Sequence, residues 1–227
     1  MARTVDHAAR ATRSDAFVDA AQRLIQTKGY ERMSIQDVLD EAGASRGALY
    51  HYFDSKEALL QAVVERMTDG ALASVAPIVD DPTIPAPEKL RRVFDGIAQF
   101  KLARTELLMG LLQTWLSDDN ALVRERFGRG LVTTLGPRLA KILAQGKAEG
   151  AFAVEDPDAV ARVLVSLLWA ANQTAGSLYV ARRENTISYE RTEATLASFW
   201  SAFERILGVP EGSVFDFDRA VIRQWFG

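Results

Sequence analysis

Ser34-Ile35-Gln36-Asp37-Val38-Leu39-Asp40-Glu41-Ala42-Gly43-Ala44-Ser45-Arg46-Gly47-Ala48-Leu49-Tyr50-His51-Tyr52-Phe53 is the stretch on which the reading of this chain turns. Ile35, Val38, Leu39 and Ala42 recur at helical spacing. Ser34 can cap that helix, and Asp37 three residues later completes a weak capping box. Gly43 ends it. Ser45 then caps a third short helix, from Arg46 to about Phe53. Two short helices joined by a tight glycine turn can pack at a steep angle, which presents the second at the surface. Leu49 and Phe53 lie four apart and can both face inward. Gly47 and Ala48 are small, so this end of the helix can approach another surface closely. Arg46, Tyr50, His51 and Tyr52 bring donors or stacking faces, and no carboxylate occurs between Ala42 and Phe53. A positive helix end with donors and no acid suits phosphates and base edges, as a helix in a DNA major groove requires. Singly, each residue has an ordinary explanation: Tyr50, Tyr52 and Phe53 as core aromatics, Arg46 as a solvated cation, His51 as an exposed helical histidine. The joint spacing carries the weight.

Helical period dominates the flanks. Phe17, Ala20, Ala21, Leu24 and Ile25 mark a first helix, with Thr12 or Ser14 as its cap and Lys28-Gly29 as its close. A fourth helix is expected from Asp54 or Ser55 through Met67. Pro77 to Pro87 holds four of the seven prolines and reads as a connection. A fifth helix follows from Pro87 to about Arg104, then one over Thr105 to Leu116 and a capping turn at Ser117 to Asn120. A long helix reaches about Gly146, with a kink expected near Gly136-Pro137. Asp156-Pro157 opens a helix to about Arg183, and another spans Tyr189 to Leu207. Phe215 to Phe226 offers one last amphipathic segment. Strand alternation of useful length is absent, so the class is all-α.

The stretch from Met33 to Leu60, which continues through Asp54-Ser55-Lys56-Glu57, closely resembles the DNA-binding region of TetR-family transcriptional regulators. Its alanine-glycine turn, recognition-helix glycine, leucine-tyrosine pair, aromatic-phenylalanine and serine-lysine-glutamate all fit that pattern. Ala44 in place of the usual valine, and Leu39 in place of a small alanine, are mild departures. The resemblance implies an N-terminal three-helix helix-turn-helix domain over 1–56 with a basic arm. A fourth helix would join it to a larger helical ligand-binding and dimerisation domain over 57–227. It also implies roles: Arg46, Gly47 and Ala48 at base edges with Gln36 reaching in, and Tyr50, Tyr52 and Lys56 on phosphates with His51 beside them. Ser34 and Ser45 would meet phosphate near helix ends. The arm residues Arg3, Arg10 and Arg13 would reach a neighbouring minor groove.

Composition narrows the classes further. Of the 227 residues 48% are hydrophobic and 25% charged, an ordinary globular mix, and the net charge of −3 excludes binding nucleic acid by bulk charge. With no cysteine and two histidines, His7 and His51, thiolate chemistry and clustered-histidine sites are excluded, and no metal or cofactor is expected. A Ser-His-Asp site would need a positioned histidine, but His7 lies in the arm and His51 in the recognition helix. Gly128-Arg129-Gly130 follows no strand, so it is not a dinucleotide loop. Asp118-Asp119 reads as a helix cap. An enzyme is therefore not expected. The N-terminus does not read as a secretory signal. Polar residues also interrupt Ala159 to Ala181, the longest apolar run, so a cytoplasmic location is expected.

A helix-turn-helix unit this small cannot span two half-sites, so a palindromic operator and a homodimer are expected. Candidates for the dimer surface are Leu167, Ala171, Ala175 and Leu178, with Leu196, Phe199, Trp200 and Phe203. Phe100, Arg104, Leu108, Leu112, Trp115, Phe127, Trp169, Asn172 and Gln173 are candidates for an effector site, since an apolar cavity with a few polar groups is the usual small-molecule site. The expected function is repression relieved by a small, largely apolar effector. The alternative is a DNA-binding scaffold controlled by a protein partner or by no effector.

Overall fold

The computed structural model describes residues 2–215 and 219–227, and describes side chains for 13–215 and 222–227. Every regular element among the described residues is helical. The helices are α1 (Ala2–Lys28), α2 (Ile35–Ala42), α3 (Arg46–Tyr50), α4 (Lys56–Asp80), α5 (Ala86–Leu102) and α6 (Thr105–Leu116). After a 3-10 turn at Asp118–Asn120 come α7 (Ala121–Ala148), α8 (Pro157–Arg183), α9 (Tyr189–Leu207) and α10 (Arg219–Phe226). The chain forms two compact units, one running to Gly70 and resuming over Lys101–Phe127, the other comprising Ala71–Phe100 and Gly128–Gly227.

The first unit closes around one core. Phe17, Ala20, Ala21 and Ile25 of α1 meet Val38 and Leu39 of α2, Leu49 of α3 and Leu59, Leu60 and Val63 of α4. Leu107 and Leu111 of α6 are buried in the same core, so this unit holds more than the residues up to 56. Local chemistry sets the α2 boundaries. The Ser34 hydroxyl accepts from the Asp37 amide at 3.1 Å, the Asp37 carboxylate accepts from the Ser34 amide at 2.7 Å, and Gly43 turns left-handed at φ 60°.

The second unit buries Val75 and Val79 of α4 and Leu90 and Val93 of α5 with Leu139, Ile142 and Leu143 of α7, Leu164 and Val165 of α8, and Phe203 and Leu207 of α9. Two buried charges are fully engaged there. Lys89 donates to the Val79 carbonyl at 3.2 Å and to Gln145 Oε1 at 2.7 Å. Glu204 accepts from the amides of Gly212 (2.6 Å), Val214 (3.0 Å) and Phe215 (3.1 Å), which pins that loop and seats Phe215 beside Phe94, Trp200 and Phe203. A smaller cluster of Leu178, Leu196 and Phe226 docks α10 on α8 and α9, where Arg182 also donates to the Phe226 carbonyl at 2.9 Å.

Several sequence-derived boundaries are corrected. The first helix starts at Ala2, so Thr12 and Ser14 lie within it and do not cap it. The third ends at Tyr50 and not near Phe53, because the Tyr52 amide switches to a tighter bond to the Leu49 carbonyl at 2.8 Å. The fourth runs through Pro77 to Asp80 where a connection was expected. Val75 and Val79 flank that proline and are buried, and this packing outweighs the loss of one helical bond. The fifth stops at Leu102, short of Arg104. Asp216 to Asp218, within the expected last segment, lie outside the described residues.

Candidate nucleic-acid interface

The α2–turn–α3 segment is built from its inward face. Leu49 is 0% exposed and Phe53 7% exposed, as their four-residue spacing predicts. Ser45 caps α3, its hydroxyl accepting from the Ala48 amide at 3.3 Å. With those anchors buried, Arg46, Gly47, Tyr50 and His51 lie on the exposed side, Tyr50 at 46%. Ser34, Gln36 and Ser45 are exposed as well, while Ala48 and Tyr52 are half-buried. Tyr52 is held by aromatic contact, with ring centroids 5.0 Å from His51 and 6.2 Å from Phe17.

Three acidic side chains of α2 beside this face have polar partners. Asp37 meets Lys28 at 2.7 Å and Glu41 meets Arg23 at 2.8 Å, and Asp40 accepts from the Gln36 amide nitrogen at 2.8 Å. The Lys28 ammonium and the Ser34 hydroxyl and amide hold the Asp37 carboxyl well below the usual carboxylate range. The Ser34 hydroxyl itself donates to Asp37 at 2.6 Å, so it is already engaged before any phosphate arrives. Lys56, the first residue of α4, is half-buried, with its Nζ 4.2 Å from the centroid of the Tyr30 ring and 3.4 Å from the Glu31 carbonyl. The Arg13 side chain is exposed, whereas the side chains of Arg3, His7 and Arg10 lie outside the described residues.

The remaining candidates fall in different places. Arg104 precedes α6, Leu108, Leu112 and Trp115 belong to it, and Phe127 lies on α7, all in the first unit. Trp115 and Phe127 meet edge to face at 5.5 Å and pack on the first core. Phe100, Trp169, Asn172 and Gln173 belong to the second unit, where Trp169 covers Gly128 so closely that a Cβ there would lie 2.8 Å from its Nε1. Asn172 is exposed and donates to the Leu168 carbonyl at 2.8 Å. Of the dimer candidates, Phe203, Leu178 and Leu196 are buried within the second unit, and Trp200 packs on its core. Leu167 and Phe199 instead line an open groove between α8 and α9 of about 430 Å³, together with Arg191, Ala194, Thr195, Ser198 and Ala202. Val163, 54% exposed on α8, was not singled out in the sequence, although it lies one turn before Leu167. Among the described residues no cluster of His, Asp or Glu could hold a metal ion, and no helix is long and apolar enough to cross a membrane.

The outward face of this helix–turn–helix carries donors and, between Ala42 and Phe53, no carboxylate. Residues 17–63 match the family model of bacterial regulatory proteins of the tetR family. Over these residues the chain is similar to the TetR family. It is 29% identical over 144 residues to the transcriptional regulator EthR of Mycolicibacterium smegmatis, covering 56% of this chain and 66% of that protein. It is 30% identical over 132 residues to the transcriptional regulator YfiR of Bacillus subtilis, covering 52% and 62%. The chain thus spans just under two thirds of the length of these curated relatives. The fold is shared with RolR: the ligand-free structure aligns at TM-score 0.61 and 21% identity over 92% of this chain and 96% of that one. RolR in complex with resorcinol aligns at TM-score 0.62 and 20% identity, covering 95% of each chain.

Proposed function

We propose that this protein is a homodimeric, sequence-specific repressor that leaves a palindromic operator when a small, largely apolar effector binds. The observation that carries the reading is the exposed, acid-free face of α3, held outward by buried Leu49 and Phe53. On this reading Arg46, Gly47, Ala48 and Gln36 meet base edges, while Tyr50, Tyr52, Lys56, Ser34 and Ser45 meet phosphate and sugar, with His51 beside them. Arg46 reads a guanine edge.

On this reading the dimer forms through α8 and α9. The small residues Ala194, Ser198 and Ala202 in the groove beside Leu167 and Phe199 would let another helix approach closely, and Val163 on α8 is an exposed apolar side chain. Effector binding is inferred from the half-buried side chains of Leu108, Leu112, Trp115 and Phe127 and from the fold shared with RolR, a protein solved with resorcinol. An effector releases DNA only if it favours a dimer geometry that does not fit the operator.

Selection of duplexes from random sequence by the full-length protein tests this, alongside its mass by sedimentation. A two-fold symmetric site bound by a dimer is expected. Selection of no common sequence, or a monomer at binding concentrations, overturns the reading.

A further inference from the structure

The side chain of Lys56 is not held by its own helix. Its Nζ lies 3.4 Å from the Glu31 carbonyl oxygen and 4.2 Å from the centroid of the Tyr30 ring. Both partners belong to the turn that follows α1, which Gly29 opens at φ 80°. That turn is in contact with α6. Glu31 Oε1 accepts a 2.7 Å hydrogen bond from the Thr114 hydroxyl, and Thr114 is 3% exposed. One turn earlier on α6, Gly110 packs so closely on α1 that a Cβ there would sit 2.7 Å from the Ile25 carbonyl oxygen, the same oxygen that accepts the Gly29 amide at 3.0 Å. Leu107, Gly110, Leu111 and Thr114 thus form one face of α6 at spacings of three, four and seven, laid along the end of α1. The position of Thr114 is fixed in turn, because its carbonyl accepts from buried Asn120 at 3.0 Å and from the Ser117 hydroxyl at 2.8 Å.

We infer that Thr114 and Glu31 are positioning residues for the phosphate contact of Lys56: Thr114 fixes the Glu31 side chain from α6, and Glu31, through its backbone carbonyl, sets where the ammonium stands. This rests on the DNA-binding reading of Lys56. A cation already stationed at its phosphate loses less side-chain freedom on binding than one that must be ordered there. Tyr30 supports the arrangement. Its ring faces the ammonium, which stands 4.2 Å from the ring centroid.

A double-mutant cycle on the full-length protein tests this, with affinity measured on a duplex that the wild-type protein selects from random sequence. Lys56→Ala is expected to weaken binding and to reduce the slope of log affinity against log salt by about 0.9. Thr114→Val, which keeps the shape and removes the hydroxyl, is expected to weaken binding about two- to tenfold. Thr114→Ser should restore it. In the Lys56→Ala background Thr114→Val should have no further effect on affinity, which a purely structural role would not produce. Thermal melting of each variant keeps a folding defect distinct. Equal losses from Thr114→Val in both backgrounds, or no loss in either, overturn the positioning role and leave the DNA-binding reading standing. No effect of Lys56→Ala overturns the phosphate contact itself. Failure of the wild-type protein to select any duplex overturns both.

Discussion

Replacing Gly110 with alanine sets two known effects against each other. In an unobstructed helix, glycine to alanine stabilises by about 0.5–1 kcal/mol, because alanine loses less backbone freedom on folding. At Gly110 the new methyl would sit 2.7 Å from the Ile25 carbonyl oxygen and 3.2 Å from the Ile25 Cγ2. The first of these is backbone in the last turn of α1 and cannot swing aside. Overpacking of this kind costs about 1–3 kcal/mol. After subtracting the helical gain, we expect a net loss of up to about 2.5 kcal/mol, or up to about 10 °C in Tm for a chain of this size. Gly130 on α7 is the control, since a Cβ there meets nothing within 4 Å. Gly130→Ala should raise Tm by about 1–4 °C. The assay is a thermal melt of both variants beside the parent. Should Gly110→Ala raise Tm as Gly130→Ala does, α6 does not lie on the backbone of α1, and the positioning of Lys56 through Thr114 loses its frame.

Leu49→Ala removes a fully buried side chain behind the α3 face and should destabilise by about 2–5 kcal/mol, seen as a lower Tm; Arg46→Ala, at an exposed position, should leave Tm nearly unchanged. Glu204→Gln weakens the anchor of the loop at Gly212 to Phe215, since one carboxylate oxygen becomes a donor facing backbone N–H groups. A loss of about 1.5–3 kcal/mol is expected in denaturant titration. The folded-state pKa of Asp37 is depressed, so its contribution to stability is present above the ordinary carboxylate value of 3.8 and is lost as pH falls through the lower folded value. Carbon-detected NMR should therefore show the Asp37 carboxyl titrating below 3.8, and a midpoint at or above that value contradicts the Lys28–Ser34–Asp37 arrangement.

What the sequence makes legible is what short spacing encodes. Ser34, Asp37 and Gly43 bound α2 within a few residues of themselves, and the structure returns Ile35–Ala42 with both caps in place. Thr105–Leu116 and Tyr189–Leu207 likewise match their expected bounds, the latter capped by Ser188. The α3 face is legible for the same reason: a four-residue spacing buries Leu49 and Phe53 and turns Arg46 outward. Contacts between distant segments are not legible. Pro77 reads as a break until Val75 and Val79 are seen in the second core. Lys89 and Glu204 carry no local signal of burial, yet both are buried and bonded across gaps of 56 and about ten residues. Thr114 lies 83 residues from Glu31, so no local pattern joins them. The spacing of Leu107, Gly110, Leu111 and Thr114 could have marked α6 as closely packed, but not against which helix. Phe203, Leu178 and Leu196 show the same limit, because aromatic and aliphatic residues at helical spacing do not distinguish a core from an interface.

The most direct test of the account is the affinity of Arg46→Ala and Lys56→Ala for a selected operator and for a scrambled duplex of equal length at one salt concentration. The account predicts that Arg46→Ala loses about 1–3 kcal/mol on the operator and little on the scrambled duplex, while Lys56→Ala loses the same on both. Equal behaviour of Arg46→Ala on the two duplexes would contradict the claim that α3 reads the sequence.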